Sequence, residues 1–318
     1  MEMSPDILRN TDFQRQGNGV AIVSAKDGRI WWIGGMGKPI GNGKGENTVF
    51  PYDPASDQWP KVTAYEVKSQ TGGGFYRMTT YHTDIPPMHE RRIDHQAVVT
   101  ADGKIYVMGG YRPESKEDPD PVLKMRAVSN TMECHDPRTN SWEYKKPLSS
   151  VRMRFAAVVG PDDKIYVFGG AEGMANIDAT PVLNTTEVYD PKTDSWTLRK
   201  PMPESREGHA AVLGSDGKIY VLGGASSVPT PPLSDVFIYD PVQDSWTRGP
   251  KMNVPRAVLA AVATPDGKIY AIGGTDIGAY SGRKKLNFFL PKEHEFYTGK
   301  VQDTVEVLDI SPSSGANP

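Results

Sequence analysis

The chain has 318 residues, 37% of them hydrophobic, with 32 glycines and 27 prolines, a composition that suits many short strands joined by turns better than long helices. A formal net charge of −3, with no Lys/Arg run recurring along one stretch, argues against nucleic-acid binding through a broad basic face. The single cysteine, Cys134, excludes an intrachain disulfide and a CxxC metal knuckle.

The chain opens MEMSPDILRNTDFQ, with neither a basic n-region nor an apolar h-region, so it does not read as a secretory signal. No apolar run approaches a membrane span. The expectation is a cytoplasmic protein with no membrane partner, although a leader removed upstream of this start would leave the same sequence. The first repeat unit, 14–70, carries GVAIV and then DGRIWWIGG at 27–35. After it, 60–91 holds no KIYV-Gly-Gly and no Tyr-Asp-Pro. It reads as a fourth strand, KVTAYEV, followed by an inserted hairpin rather than as a degenerate blade.

The second unit, 92–150, runs from Arg92 through HQAVV and DGKIYVMGG (102–110) to MECHDPRTNSW, ending at Trp142. The third, 152–202, runs from Arg152 through FAAVV and DDKIYVFGG to TEVYDPKTDSW. The fourth, 206–252, reads REGHAAVL, DGKIYVLGG (216–224) and DVFIYDPVQDSW. The fifth, 256–310, carries DGKIYAIGG and TVEVLDI, and no tryptophan follows. Within a unit, the HAAVL-type run suits a buried inner strand. KIYVL is a second strand, joined to the first by an Asp-Gly turn and closed by Gly-Gly. The Tyr-Asp-Pro segment is a third strand, stopped by a proline that cannot donate to a ladder. The tryptophan opens a fourth.

KIYV-Gly-Gly, Tyr-Asp-Pro and a tryptophan about six residues beyond, recurring in that order over nearly the whole chain, resemble kelch repeats. The Gly-His and Trp-Asp pairs of WD40 repeats are not in place. The resemblance implies an all-β, kelch-type β-propeller of five four-stranded blades in a single domain, 1–318. Residues 5–13 are expected to supply the missing outer strand of the last blade and so close the ring. The glycines and tryptophans are then scaffold.

Loop length points to where binding would sit. Numbering the strands a to d outward, the a–b and c–d turns are short (GSDG, DPVQDS). The b–c and d–a connections carry every insertion: 36–47, 60–91, 111–130, 171–184, 225–234 and 275–302. All of these belong to one face of a blade, and long loops on a rigid scaffold are where function usually lives. Arg92, Arg152, Arg206 and Arg256 each precede an inner strand at the same spacing, with Arg15 an approximate fifth. They read equally as loop braces and as an anion cradle, the latter because guanidinium forks suit carboxylates.

Tyr76, Tyr81, Tyr280 and Phe289 belong to two aromatic-rich insertions read as a lid over a pocket, the alternative being that the two insertions pack on each other. His82, on a mouth loop beside Tyr81, reads first as a solvated loop histidine, with an acid or base role as the alternative. His95 and His209 share a slot with Phe155 and Leu259, so they read as buried packing histidines. Among enzymes of similar scaffold, galactose oxidase needs a tyrosine–cysteine crosslink and copper, and nitrile-specifier proteins need an iron-binding Glu/Asp/His pattern; neither arrangement is present. Sialic acid mutarotase, metal-free, is the nearest precedent in spirit.

The expected function is therefore capture of a small anionic or polar ligand with an apolar body at the long-loop mouth. That could extend to a cofactor-independent isomerase, cyclase or lyase; the alternative is a non-catalytic module recognising an acidic peptide through the arginines. A monomer needing no metal or cofactor is expected.

Overall fold

The computed structural model describes residues 21–34, 49–58, 61–68, 75–82, 84–112, 127–173, 181–226, 230–275 and 304–310. Among them there is no helix. They belong to two compact units, 1–153 and 154–318.

The first unit contains β1 (Ala21–Ser24), β2 (Ile30–Ile33) and β3 (Val49–Tyr52), which form a sheet in the order β1-β2-β3. Then come β4 (Lys61–Lys68) and β5 (Phe75–His82), followed by β6 (Gln96–Val99), β7 (Ile105–Met108), β8 (Tyr111–Arg112), β9 (Ala127–Val128), β10 (Met132–Asp136) and β11 (Ser141–Lys145). The second sheet has the order β6-β7-β10-β11, and β8 pairs with β9 within its b–c connection.

The reading of 61–67 as the outer strand of the first sheet is corrected. β4 pairs with β5 in a hairpin of its own, in register from Lys61↔His82 to Lys68↔Phe75. The first sheet has three strands among the described residues. The physical reason lies at Pro60. It stands directly after Trp59, where the other outer strands carry Glu143, Thr197 and Thr247, and a proline there has no N–H for the ladder.

The second unit repeats one plan. β12 (Ala156–Val159), β13 (Ile165–Phe168), β14 (Thr186–Asp190) and β15 (Ser195–Arg199) form one antiparallel sheet in chain order. β16 (Ala210–Leu213), β17 (Ile219–Leu222), β18 (Val236–Asp240) and β19 (Ser245–Arg248) form the next. β20 (Ala260–Ala263), β21 (Lys268–Ile272) and β22 (Val305–Asp309) form the last. The segment 5–13, expected to complete that last sheet, lies outside the described residues.

Alternation along the strands gives each sheet two faces, and within each unit neighbouring sheets bury them against each other. In the second unit, Tyr166, Phe168 and Val188 of one sheet pack on Ile219, Val221, Phe237 and Tyr239 of the next. The opposite face of that sheet, with Val212, Tyr220, Leu222 and Val236, packs on Ile269 and Ala271. In the first unit, Val23, Trp31, Ile33 and Val49 pack on Ile105, Val107 and Trp142. Each such side chain contributes about 1.5–3 kcal/mol on burial.

The c–d turns show how local chemistry sets the hairpins. The tyrosine of each Tyr-Asp-Pro donates its hydroxyl to an aspartate held at positive φ: Tyr52 to Asp57, Tyr189 to Asp194 and Tyr239 to Asp244, each at 2.7 Å. Where the tyrosine becomes His135, the left-handed residue becomes Asn140, and the ring nitrogen meets its side-chain oxygen at 3.0 Å. The substitution is paired because a donor–acceptor contact must be kept.

One inner-strand approach is strained. Asp94, Arg154, Gly208 and Val258 stand at the same place and all have positive φ. For Val258, at φ 55°, the branched β-carbon is unfavourable, and its side chain is 51% exposed, so little burial compensates. Val258→Asn is expected to raise stability by about 1 kcal/mol. Urea denaturation checks this, and an unchanged or lower midpoint contradicts the strain argument.

Candidate functional site

Antiparallel order puts the b–c and d–a connections at one end of every sheet and the tight a–b and c–d turns at the other. The d–a connection is anchored by an apolar side chain four residues before each arginine: Met88, Leu148, Met202 and Met252, all buried. The arginine main-chain carbonyl then accepts from the second glycine of a Gly-Gly pair. Gly110 N–H donates to Arg152 O at 2.8 Å, Gly170 N–H to Arg206 O at 2.9 Å and Gly224 N–H to Arg256 O at 2.9 Å.

The side chains turn inward. Arg92, Arg152, Arg206 and Arg256 are each 0% exposed, so none of the four is presented to solvent. Arg92 donates from Nη1 to Gly109 O (2.8 Å) and Thr131 O (3.1 Å), and from Nη2 to Thr131 Oγ1 (2.7 Å) and Glu133 Oε1 (2.9 Å). Arg256 repeats this with Gly273 O, Thr304 O, Thr304 Oγ1 and Glu306 Oε1, at 2.8–3.0 Å. Arg152 donates to Ser150 Oγ. Arg92 and Arg256 thus each clamp the two ends of their own b–c connection.

The acid in this clamp escaped the reading of the sequence. Glu133 also accepts from the main-chain N–H of His89 (2.7 Å) and of Glu90 (3.1 Å), and meets His89 Nδ1 at 2.8 Å. Glu306 likewise accepts from Asn253 and Val254 N–H. Burial opposes the charge of Glu306, but these bonds and Arg256 hold its carboxyl below the ordinary value. A signal existed: Glu133, Glu187 and Glu306 each stand three residues before the aspartate that ends the third strand. In the fourth sheet that slot is Phe237.

His95 and His209 are buried, and burial together with Arg92 or Arg206 pushes each imidazole down to about 3; the Ile33 and Phe168 carbonyls offset this only in part. A histidine held neutral in the fold contributes nothing above about 6.5, the unfolded value, where both states are neutral, and it destabilises the fold progressively as pH falls from there toward the folded value. Each histidine contributes a slope of about 1.4 kcal/mol per pH unit in this window. His209→Leu, which installs the residue found at 259, should therefore flatten the stability profile between about pH 6.5 and 5. Urea midpoints measured across that window check it, and an unchanged slope rejects it.

Tyr76, Tyr81 and His82 lie on β5, opposite Val67, Val62 and Lys61 respectively. Arg15, Tyr280 and Phe289 lie outside the described residues. Among the described residues no three His, Cys, Asp or Glu side chains are grouped so as to hold a metal ion.

The family model described as the KLHDC2/KLHL20/DRC7 Kelch-repeats domain matches residues 75–274. Kelch-like protein 26 of Danio rerio is 28% identical over 228 residues, covering 64% of this chain and 35% of that protein. Kelch-like protein terF of Aspergillus terreus is 35% identical over 137 residues, covering 42% of this chain and 27% of that protein. The chain thus spans about a third or less of the length of these two relatives. The solved structure of YjhT is similar in fold, with a TM-score of 0.60 at 16% identity, covering 81% of this chain and 77% of that one.

Proposed function

The chain belongs to the kelch-repeat family, with an all-β fold of the kelch propeller type, and from that premise we propose that it is a binding module holding an acidic peptide segment of a partner protein. The segment binds at the sheet ends that carry the b–c and d–a connections, taken in each unit by itself. The observation that carries this reading is the sheet topology, which leaves tight turns at one end of each sheet and every long connection at the other. Repeats of this kind offer an extended surface more readily than an enclosed one. Tyr76, Tyr81, Tyr280 and Phe289 would supply apolar contact to the segment, and His82 a polar one. The arginines brace the platform from within, apart from the one discussed below.

A photo-crosslinkable acidic peptide tests the reading. Crosslinks should map to 36–47, 60–91, 111–130, 171–184, 225–234 and 275–302. Crosslinks concentrated on the short turns, such as 191–194 or 241–244, would overturn it.

A further inference from the structure

The four arginines are not equivalent. In the second and last sheets, Nη2 of the arginine is held by a threonine hydroxyl and a glutamate carboxylate from the third strand or its approach: Thr131 and Glu133, or Thr304 and Glu306. The fourth sheet has lost both acceptors. Asp235 stands where the threonine would be, offering Arg206 only its main-chain carbonyl at 3.4 Å, and Phe237 stands where the glutamate would be. Gly223 O accepts from Nη1 at 3.0 Å, while among the described residues Nη2 has no hydrogen-bond partner although the side chain is 0% exposed; Nε is unpartnered in Arg92 and Arg256 as well, so Nη2 is what sets Arg206 apart from them.

The turn has changed in step. The first N–H that the glutamate would accept, supplied by His89 or Asn253 elsewhere, is missing because Pro203 occupies that position. The Arg206 guanidinium lies over the Phe237 ring, 4.2 Å from its centroid, and Arg248 lies 5.1 Å from the same ring. The nearest acid is Glu204, 3.9 Å from Arg206 Nη2, and it is drawn aside to Arg248 at 2.7 Å.

We propose that Arg206, jointly with Arg248, receives a carboxylate of the acidic partner, and that Glu204 occupies that carboxylate's place in the unbound protein. This rests on the peptide-binding reading above and names its anchoring residue. A buried guanidinium nitrogen without an acceptor, as at Nη2, is costly, and the fork geometry of the group fits a carboxylate better than any other common group. Burial pushes the Arg206 guanidinium down to about 10, with Glu204 and Asp235 opposing that only in part, as expected for an under-compensated charge. Glu204 is 41% exposed. It can therefore swing into solvent without disturbing the core, opening the path to Nη2. Arg248, 59% exposed, and Lys251, 68% exposed, mark that path with positive charge.

The test is calorimetric titration with a hexaglutamate peptide at low salt, with hexaglutamine as control. Phe237→Glu restores the internal carboxylate of the other sheets. It gives up the core packing of Phe237 and should lower the melting temperature, and the folded variant should bind hexaglutamate at least about tenfold more weakly. Glu204→Gln, a surface change that cannot endanger folding, should strengthen binding by roughly threefold or more by removing the competitor. If wild type binds hexaglutamate and Glu204→Gln binds no more tightly, the role of Arg206 is overturned while the peptide-binding reading survives. Unaltered binding by folded Phe237→Glu has the same meaning. If wild type does not distinguish hexaglutamate from hexaglutamine, both fail.

Discussion

Arg92→Ala is expected to lower the melting temperature by roughly 6–20 °C, from a loss of roughly 3–5 kcal/mol for breaking a buried ion pair by removing one partner. Arg92 and Glu133 are both 0% exposed and meet at 2.9 Å. Truncating the arginine leaves the Glu133 carboxylate buried with only the His89 and Glu90 donors, and leaves the Gly109 and Thr131 carbonyls without that guanidinium. The double variant Arg92→Ala with Glu133→Gln should recover part of the loss, since no charge is then stranded. Arg206→Ala should cost less than Arg92→Ala, because Phe237 leaves no buried glutamate to orphan. Thermal and urea denaturation of the four proteins check this. Equal losses for Arg92→Ala and Arg206→Ala would mean that the carboxylate is not the source of the effect.

Gly224→Ala is expected to be at least as damaging, costing more than about 4 kcal/mol, and to give little folded protein. Gly224 has φ 87°, and a β-carbon there would stand 2.6 Å from the Glu207 carbonyl oxygen and 2.8 Å from His209 Cβ. The oxygen belongs to the backbone, and moving it breaks the paired Glu207–Ala225 hydrogen bonds, each of 2.9 Å. Gly217 is the control. Its φ is 77°, yet nothing lies within 4 Å of the added carbon, so Gly217→Ala should cost only about 1–2 kcal/mol of left-handed strain. Comparable losses at the two positions would show that backbone conformation alone, and not the close approach, governs both.

These two glycines mark the boundary between what pattern and packing each decide. Asp-Gly at 216–217 and Gly-Gly at 223–224 both announce positive φ in the sequence, and both have it. That one tolerates a side chain and the other does not depends on Glu207 and His209, which the pairing of β16 with β17 brings opposite Gly224 at the approach to β16. The same holds in the first sheet. The tryptophan of the repeat is present at 59, but Pro60 removes the donor an outer strand needs, and β4 pairs with β5.

Strand positions, the all-β class and the kelch repeat are determined by the sequence alone, because they follow from local rules: alternation, Asp-Gly and Gly-Gly turns, and the Tyr–Asp or His–Asn pair of each c–d turn. The recurring arginines were legible as a repeat, and their spacing left two directions open. Only the tertiary structure turned Arg92 and Arg256 inward onto glutamates more than forty residues away in sequence, and only it isolated Arg206. A guanidinium takes whatever acceptors the fold brings within reach, and reach across a sheet is not a property of spacing along the chain.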